Sequence, residues 1–340
     1  MHIEVSRTMP ELTALAGEWN YLLKSGASHV PFLRHEYLST WWQTRGGGEW
    51  PESDLYTLTG RKPDGTLAGV APLFFTQNRD GEPALMLLGS IEISDYLDVI
   101  ASREDLPEFI DCVLDYLGGA SEPAWQVLDF YNLFENSPTL EALRASAEGK
   151  GWAFRQEVLQ HCPYIPLPGD WETYLEGIDK KQRHEIRRKM RRAETSDLPV
   201  RFYIVEDGDH LADEVEAFLK LMAYDDEKAQ FLTDAMRTQF HASAQQAFMN
   251  GWLQLSFMEV GGEKAAGYMN FDYAGHIWVY NSGIDFRYRD YSPGWVLLGY
   301  LLQWANAHKR QAFDFMRGDE DYKYRFGAVD RRVVRAVVRR

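Results

Sequence analysis

Phe313-Asp314-Phe315-Met316-Arg317-Gly318-Asp319-Glu320-Asp321-Tyr322-Lys323 reads as a short buried strand that ends at an arginine, turns on a glycine and enters a helix opened by three carboxylates. Ligands of open α/β sheets collect beyond the carboxyl ends of the strands. The layout therefore brings an Arg, an Asp, a Glu, a Tyr and a Lys to one cleft edge. A shorter version, Leu128-Asp129-Phe130, occurs in the first half of the chain.

A second echo links the same two halves. Leu55–Gly69 falls on Leu253–Gly267 without a gap, each copy a strand, a Gly-containing hairpin turn and a second strand beginning at Ala-Gly. Generic hairpin grammar accounts for part of this likeness and a duplicated fold for the rest. A length of 340 residues suits two domains. Proline biases Cys162–Gly169 toward extended backbone, and we place the crossing there, giving domains 1–165 and 166–340. In the first, strands are expected near Ala84–Leu88, Tyr96–Ile100 and Gln126–Phe130, with helices at Glu104–Leu117 and Thr139–Glu148. The second opens with helices Trp171–Arg192, Leu211–Tyr224 and Thr233–Asn250. It continues with strands Leu253–Val260, Ala265–Tyr273 and His276–Ile284, helix Gly294–His308, strand Ala312–Phe315 and a last strand, Val333–Val338. Helices, an antiparallel meander, a helix and a further strand make a mixed α/β sheet.

Composition narrows the class. Hydrophobic residues make up 45% and aromatics 14%, ample for globular packing, and the net charge of −15 argues against nonspecific nucleic-acid binding. Positive charge is nevertheless clustered: eight Lys/Arg lie in Lys180–Arg192 and five Arg in Arg331–Arg340. Cys112 and Cys162 have no metal-ligand spacing, and the histidines form no HxxxH or HxH, so no metal site is expected. The N-terminus lacks a signal-peptide pattern, and the apolar run Trp295–Leu302 is far too short to span a membrane. A cytoplasmic protein is the expectation.

Four further segments are able to carry chemistry. Ser292-Pro293-Gly294 is a strong helix start, and the start of a helix after a strand is an anion site by geometry; Arg287 and Arg289 lie just upstream. It also reads as nothing more than a good helix start. Lys180–Arg192 is a solvated face, a cradle for a polyanionic cofactor, or a nucleic-acid contact. Asp95-Tyr96-Leu97-Asp98 stands at a strand mouth, either as an Asx turn or as a hold on a cationic or hydroxylated substrate. Tyr280-Asn281 sits on the strand before the Ser-Pro-Gly turn, where ordinary strand packing is the alternative.

Taken in order, Ser94-Asp95-Tyr96, Tyr164-Ile165-Pro166-Leu167-Pro168 running into Tyr174-Leu175, the Arg183–Arg192 tract, Ser292-Pro293-Gly294 and Asp314–Lys323 resemble the Gcn5-related N-acetyltransferase (GNAT) superfamily. The branch they resemble most is the BioF2-like or CelD-like acetyltransferases, relatives of the FemAB aminoacyltransferases. The resemblance covers nearly the whole chain. It implies two tandem GNAT-like folds with a splayed mixed sheet, the N-terminal one degenerate, and acetyl-CoA or another acyl-CoA as co-substrate. It further implies an amine or hydroxyl acceptor on a small molecule or saccharide. On that footing Glu320, Tyr322 and Asp314 are the catalytic candidates, with Tyr280 as an alternative proton donor. Tyr280, Asn281, Arg287, Arg289, Ser292 and Gly294 are the cofactor-binding candidates. Asp95, Tyr96, Asp98, Arg317 and Lys323 are the substrate-binding candidates. The multi-glycine pyrophosphate loop usual in the superfamily is replaced by Tyr291-Ser292-Pro293-Gly294. Two alternatives stand beside this one: an aminoacyl-tRNA donor of the FemAB kind, or a non-catalytic accessory of polysaccharide synthesis.

Overall fold

The computed structural model describes residues 1–340. The strands are β1 His2–Ser6, β2 Asp54–Leu55, β3 Thr57–Arg61, β4 Leu67–Ala71, β5 Leu73–Gln77, β6 Pro83–Leu87, β7 Ile100–Ala101, β8 Val127–Phe134, β9 Ala153–His161, β10 Tyr164–Pro166, β11 Val200–Ile204, β12 Leu253–Val260, β13 Glu263–Tyr273, β14 His276–Ile284, β15 Ala312–Asp314 and β16 Arg332–Arg339. The helices are α1 Met9–Ala14, α2 Ala16–Leu23, α3 His35–Gly48, α4 Leu106–Gly119, α5 Pro138–Gly149, α6 Trp171–Gly177, α7 Lys180–Glu194, α8 Leu211–Met222, α9 Asp226–Phe231, α10 Asp234–Met249, α11 Pro293–Ala307 and α12 Asp321–Arg325.

Two compact units result, Met1–Gln160 with Arg332–Arg340, and His161–Arg331. The last strand therefore belongs with the first unit, not with the second as its place in the sequence had it. β16 pairs antiparallel with β8, Val333 opposite Phe134 and Val338 opposite Leu128. Sequence order carries no information on that return. The expected helix Trp171–Arg192 is two helices, because Asp179 caps a new start: its carboxylate accepts from the Lys181 amide at 2.8 Å and the Gln182 amide at 3.3 Å. Residues 96–99 form no strand, and β7 covers only Ile100–Ala101.

The first unit holds a four-stranded sheet, β1-β3-β4-β7, and a six-stranded sheet, β2-β5-β6-β8-β16-β9. The second holds one six-stranded sheet, β10-β15-β14-β13-β12-β11. The internal echo has a structural counterpart. Asp129 lies on β8, a strand parallel to β6 on one side and antiparallel to β16 on the other. Asp314 lies on β15, parallel to β14 and antiparallel to β10.

In the second unit, α7 and α11 cover one face of the sheet: Ile186, Met190, Val296, Leu297 and Leu301 pack with Met258, Tyr268, Val279 and Phe313 in one cluster. α8 covers the other face, close enough that a Cβ on Gly267 would sit 3.2 Å from Phe218 and one on Gly283 would sit 2.5 Å from the α8 backbone at Leu221 and Met222. One feature opens this sheet. β14 and β15 pair only at His276–Trp278 with Ala312–Asp314. Beyond that point β14 runs on to Ile284, whereas the chain after β15 stays bonded to the other side, Phe315 N–H to Pro163 O at 3.1 Å and Gly318 N–H to His161 O at 2.9 Å. A bulge helps the parting: Met269 faces Asn281 and Asn270 faces Val279, which leaves Tyr280 as the extra residue on β14. Bulges bend the strand that carries them.

Candidate active site at the sheet opening

The turn after β15 is stapled from within. Lys323 is 3% exposed, and its ammonium donates to Arg317 O and Gly318 O, both at 3.1 Å, and pairs with the Glu320 carboxylate at 2.8 Å. Phe315 O lies 3.4 Å away. A buried cation needs such acceptors to offset its desolvation. This corrects the substrate-binding expectation for Lys323, because its donors are spent on the turn. Arg317 is half-buried beside it and lends its carbonyl to the staple. Gly318 adopts φ +118°, open to glycine and costly for other residues.

Asp314 is fully buried, accepts from the Met316 amide at 2.8 Å and forms an ion pair with Arg331. Its counterpart Asp129 is equally buried and is held by Arg335, Nε to Oδ1 at 2.6 Å. The same arrangement in both units marks Asp314 as structural, which corrects its place among the catalytic candidates.

Glu320 and Tyr322 remain at the opening. Glu320 precedes α12 with its carboxylate largely exposed. Tyr322 lies edge-on to Phe315, ring centroids 5.8 Å apart, and packs against the α11-side cluster. Burial first, then Tyr268 and the Glu320 charge, push its phenol well above the ordinary value. Tyr268 stands on β13 opposite Ser282, on that same face and 3% exposed. Burial and the Glu320 charge raise its phenol too. Sequence reading missed Tyr268, whose only signal was alternation along β13. Two phenols thus lie within electrostatic reach of the Glu320 carboxylate on the α11 side of the parted sheet.

Tyr280 does not join them. It packs on the opposite face, between Phe240 at 5.4 Å and Phe271 at 4.9 Å. Asn281 turns its Oδ1 back to the Ser282 amide at 2.9 Å and receives the Lys228 ammonium at 3.0 Å. Lys228 also donates to Ser282 O at 2.6 Å. Burial, outweighing Asp225 and Glu320, lowers the Lys228 ammonium below the usual lysine range.

At the head of α11, Ser292 occupies the N-cap position with φ +50° but makes no side-chain cap. Gly294 is buried, and a Cβ there would overlap Ile284, so glycine lets the helix start press on the end of β14. The first-turn amides of a helix lack intrahelical partners, and Pro293 subtracts one of them. Arg289 is exposed nearby. Arg287 grips Asp285, Nε to Oδ2 at 2.9 Å, rather than the helix start. Asp285 in turn holds the Arg287 guanidinium above its usual range.

The remaining expected residues lie in the first unit. Asp98 is fully buried, accepts from Ser28 Oγ at 2.5 Å and Ser137 Oγ at 2.6 Å, and is pushed upward by burial. Tyr96 is buried beside Phe134, ring centroids 4.3 Å apart. Both are core residues, which corrects their substrate-binding expectation; Asp95 is half-buried between them and Ser94. No helix of the protein is long and apolar enough to cross a membrane.

Residues 180–324 match the family model of the acetyltransferase (GNAT) domain. No curated protein matches the chain. Among solved structures, FemX superposes with a TM-score of 0.70 at 12% identity, covering 99% of this chain and 97% of that one. A conserved protein of unknown function from Bacteroides thetaiotaomicron gives 0.63 at 12% identity, with both chains fully covered. The matched span contains the parted strands, the head of α11 and the Gly318 turn; the second unit thus matches the GNAT domain model over most of its length, and the chain as a whole shares the two-unit fold of FemX.

Proposed function

We propose that the protein transfers an acyl group from acyl-CoA to an acceptor amine at the opening between β14 and β15. What supports this reading most is the electrostatic reach of Glu320 to Tyr322 and Tyr268 on the α11 side of the parted sheet. The head of α11 suits an anionic part of the donor: it is a helix start against the end of β14, with Arg289 nearby. The acceptor nitrogen attacks the thioester carbonyl carbon; the C–N bond forms, the carbonyl becomes an oxyanion, and the C–S bond then breaks. Glu320, directly or through a water, takes the proton lost by the nitrogen. Tyr322 holds its proton, because its pKa is raised well above that of a thiol, ~8.5. Full transfer to the leaving thiolate is therefore uphill, and Tyr322 serves as a hydrogen-bond donor to the oxyanion. The thiolate leaves and takes its proton from solvent.

Glu320→Gln and Tyr322→Phe test this by thiol release with donor binding monitored. The expected loss is on the order of 10²-fold in each, the range for a general base and for one oxyanion donor. Unaltered turnover in both variants removes the assignment.

A specific observation favours a second reading, an aminoacyl-tRNA donor. Lys180, Lys181, Arg191 and Arg192 on α7 are exposed and form no ion pair. Such a surface would bind RNA phosphates with affinity falling steeply as salt rises.

A further inference from the structure

β9 closes one end of the six-stranded sheet of the first unit and has β16 as its one neighbour. The Cys162 amide donates to Arg331 O at 2.7 Å, on the β16 side. Backbone groups of a strand alternate sides from residue to residue. The N–H and C=O groups of Ala153, Arg155, Glu157 and Leu159 therefore point away from β16. Arg155, Gln156, Glu157 and Val158 are all exposed, Val158 at 53%. Such an edge is a template for another strand.

Side chains alternate as well. Arg155 and Glu157 share the face of β9 that meets Arg335, whose guanidinium lies 3.2 Å from Glu157. Phe154 and Val158 share the other face, Phe154 beneath the Arg144 guanidinium at 5.1 Å. Arg335 is already held by Asp129 and Asp80, and Arg155 forms no ion pair within the chain. The edge thus shows an unspent cation and, two residues on, an acid whose side chain is 59% exposed. A second copy laid antiparallel, with Gln156 opposite its own counterpart, puts Arg155 against Glu157 twice and Phe154 against Val158 twice. Arg155 and Glu157 then form the hydrogen-bonded pairs and Gln156 a non-hydrogen-bonded one, as the outward backbone groups require. Shifting the axis by one residue puts Arg155 against Arg155 or Glu157 against Glu157, and like charges directly opposite are destabilising.

We propose that the protein self-associates through β9, two copies pairing edge to edge about a two-fold axis at Gln156. The interface is isologous and closes on itself, so it yields a dimer and not a filament. A strand pair of this length buries less than a standard stable interface, so the dimer is weak and forms as concentration rises. The association is independent of the acyl donor.

Sedimentation velocity on the full chain over a range of concentrations reads the association. Arg155→Glu or Glu157→Arg alone weakens the dimer about tenfold, because each turns two opposite-charge pairs into like-charge pairs. The double variant Arg155→Glu/Glu157→Arg restores it. Under mild oxidation Gln156→Cys gives a disulfide-linked dimer, its two thiols standing on directly opposite residues. Val158→Cys does not, because that position faces Phe154. The wild type, with Cys112 and Cys162, is the control for links through native thiols. Matching melting curves guard against misfolding. A monomer at every concentration with no link through Gln156→Cys overturns the proposal. So does a dimer indifferent to both single reversals, or equal linking of the two cysteine variants.

Discussion

Gly318→Ala separates the turn's geometry from the rest of the site. A Cβ at Gly318 would overlap Glu320 Oε2 and stand 2.9 Å from Lys323 Nζ, at a backbone φ of +118°. The backbone strain costs ~1–2 kcal/mol. Both contacts are with the ends of side chains, so Glu320 swings away and its ion pair with the buried Lys323 is lost, worth ~0–1 kcal/mol because the Glu320 carboxylate faces solvent and Lys323 keeps its carbonyl acceptors. Together the second unit loses roughly 1–3 kcal/mol, which lowers its melting temperature by about 2–12 °C for a unit of this size. Turnover falls about tenfold or more, because the carboxylate no longer faces the opening. Donor affinity stays within roughly twofold, since the β14 edge and the head of α11 are untouched. Differential scanning fluorimetry, thiol-release kinetics and donor titration read these three quantities separately. A variant with unchanged melting and unchanged rate would show that the turn does not place Glu320. Loss of donor binding in parallel with rate would show that the turn belongs to the donor's site instead.

Other outcomes follow from the same contacts. Arg331→Met strands the buried Asp314 carboxylate and lowers the second unit's stability by ~3 kcal/mol in urea; Arg335→Met does the same to Asp129 and the first unit. Asp314→Asn that abolishes turnover at unchanged stability would return Asp314 to the chemistry. Gly283→Ala drives a methyl into the α8 backbone and costs ~1–3 kcal/mol by overpacking, read as a lower urea midpoint. His35 is buried, with Nε2 2.9 Å from Leu12 O, and burial lowers its pKa. Below ~6.5, the unfolded value, the unfolded chain binds more protons than the folded one, so this contribution to stability is lost as pH falls toward the depressed folded value. Urea midpoints at two pH values on either side of that window should differ more in the wild type than in His35→Gln; an equal pH response would refute the assignment.

The repeated hairpin and the Leu/Phe-Asp-Phe strand were legible in the sequence because alternation and turn residues are local signals. The structural role of Asp314 was legible in principle: Asp129 recurs in the other half, and Arg331 and Arg335 wait in the basic tail. What misled was reading each Asp alone, when burial and an arginine partner decide its role. Lys323 was misread for the same reason, since a Tyr-Lys pair in sequence does not show that the lysine folds back onto three carbonyls. Lys228 gave no signal at all within the acidic run Asp225-Asp226-Glu227; its placement rests on a contact 54 residues away, at Ser282. The return of β16 to the first unit was equally invisible, because strand pairing is set by tertiary packing and not by chain order.

Thermal stability with and without ligand bears most directly on the central claim, that the parted sheet of the second unit takes an acyl-CoA. Acetyl-CoA at a hundredfold its dissociation constant should stabilise the second unit by about 2.7 kcal/mol, with bulk tRNA giving no shift at physiological salt. A flat response to acetyl-CoA and CoA, or a shift with tRNA alone, would contradict it.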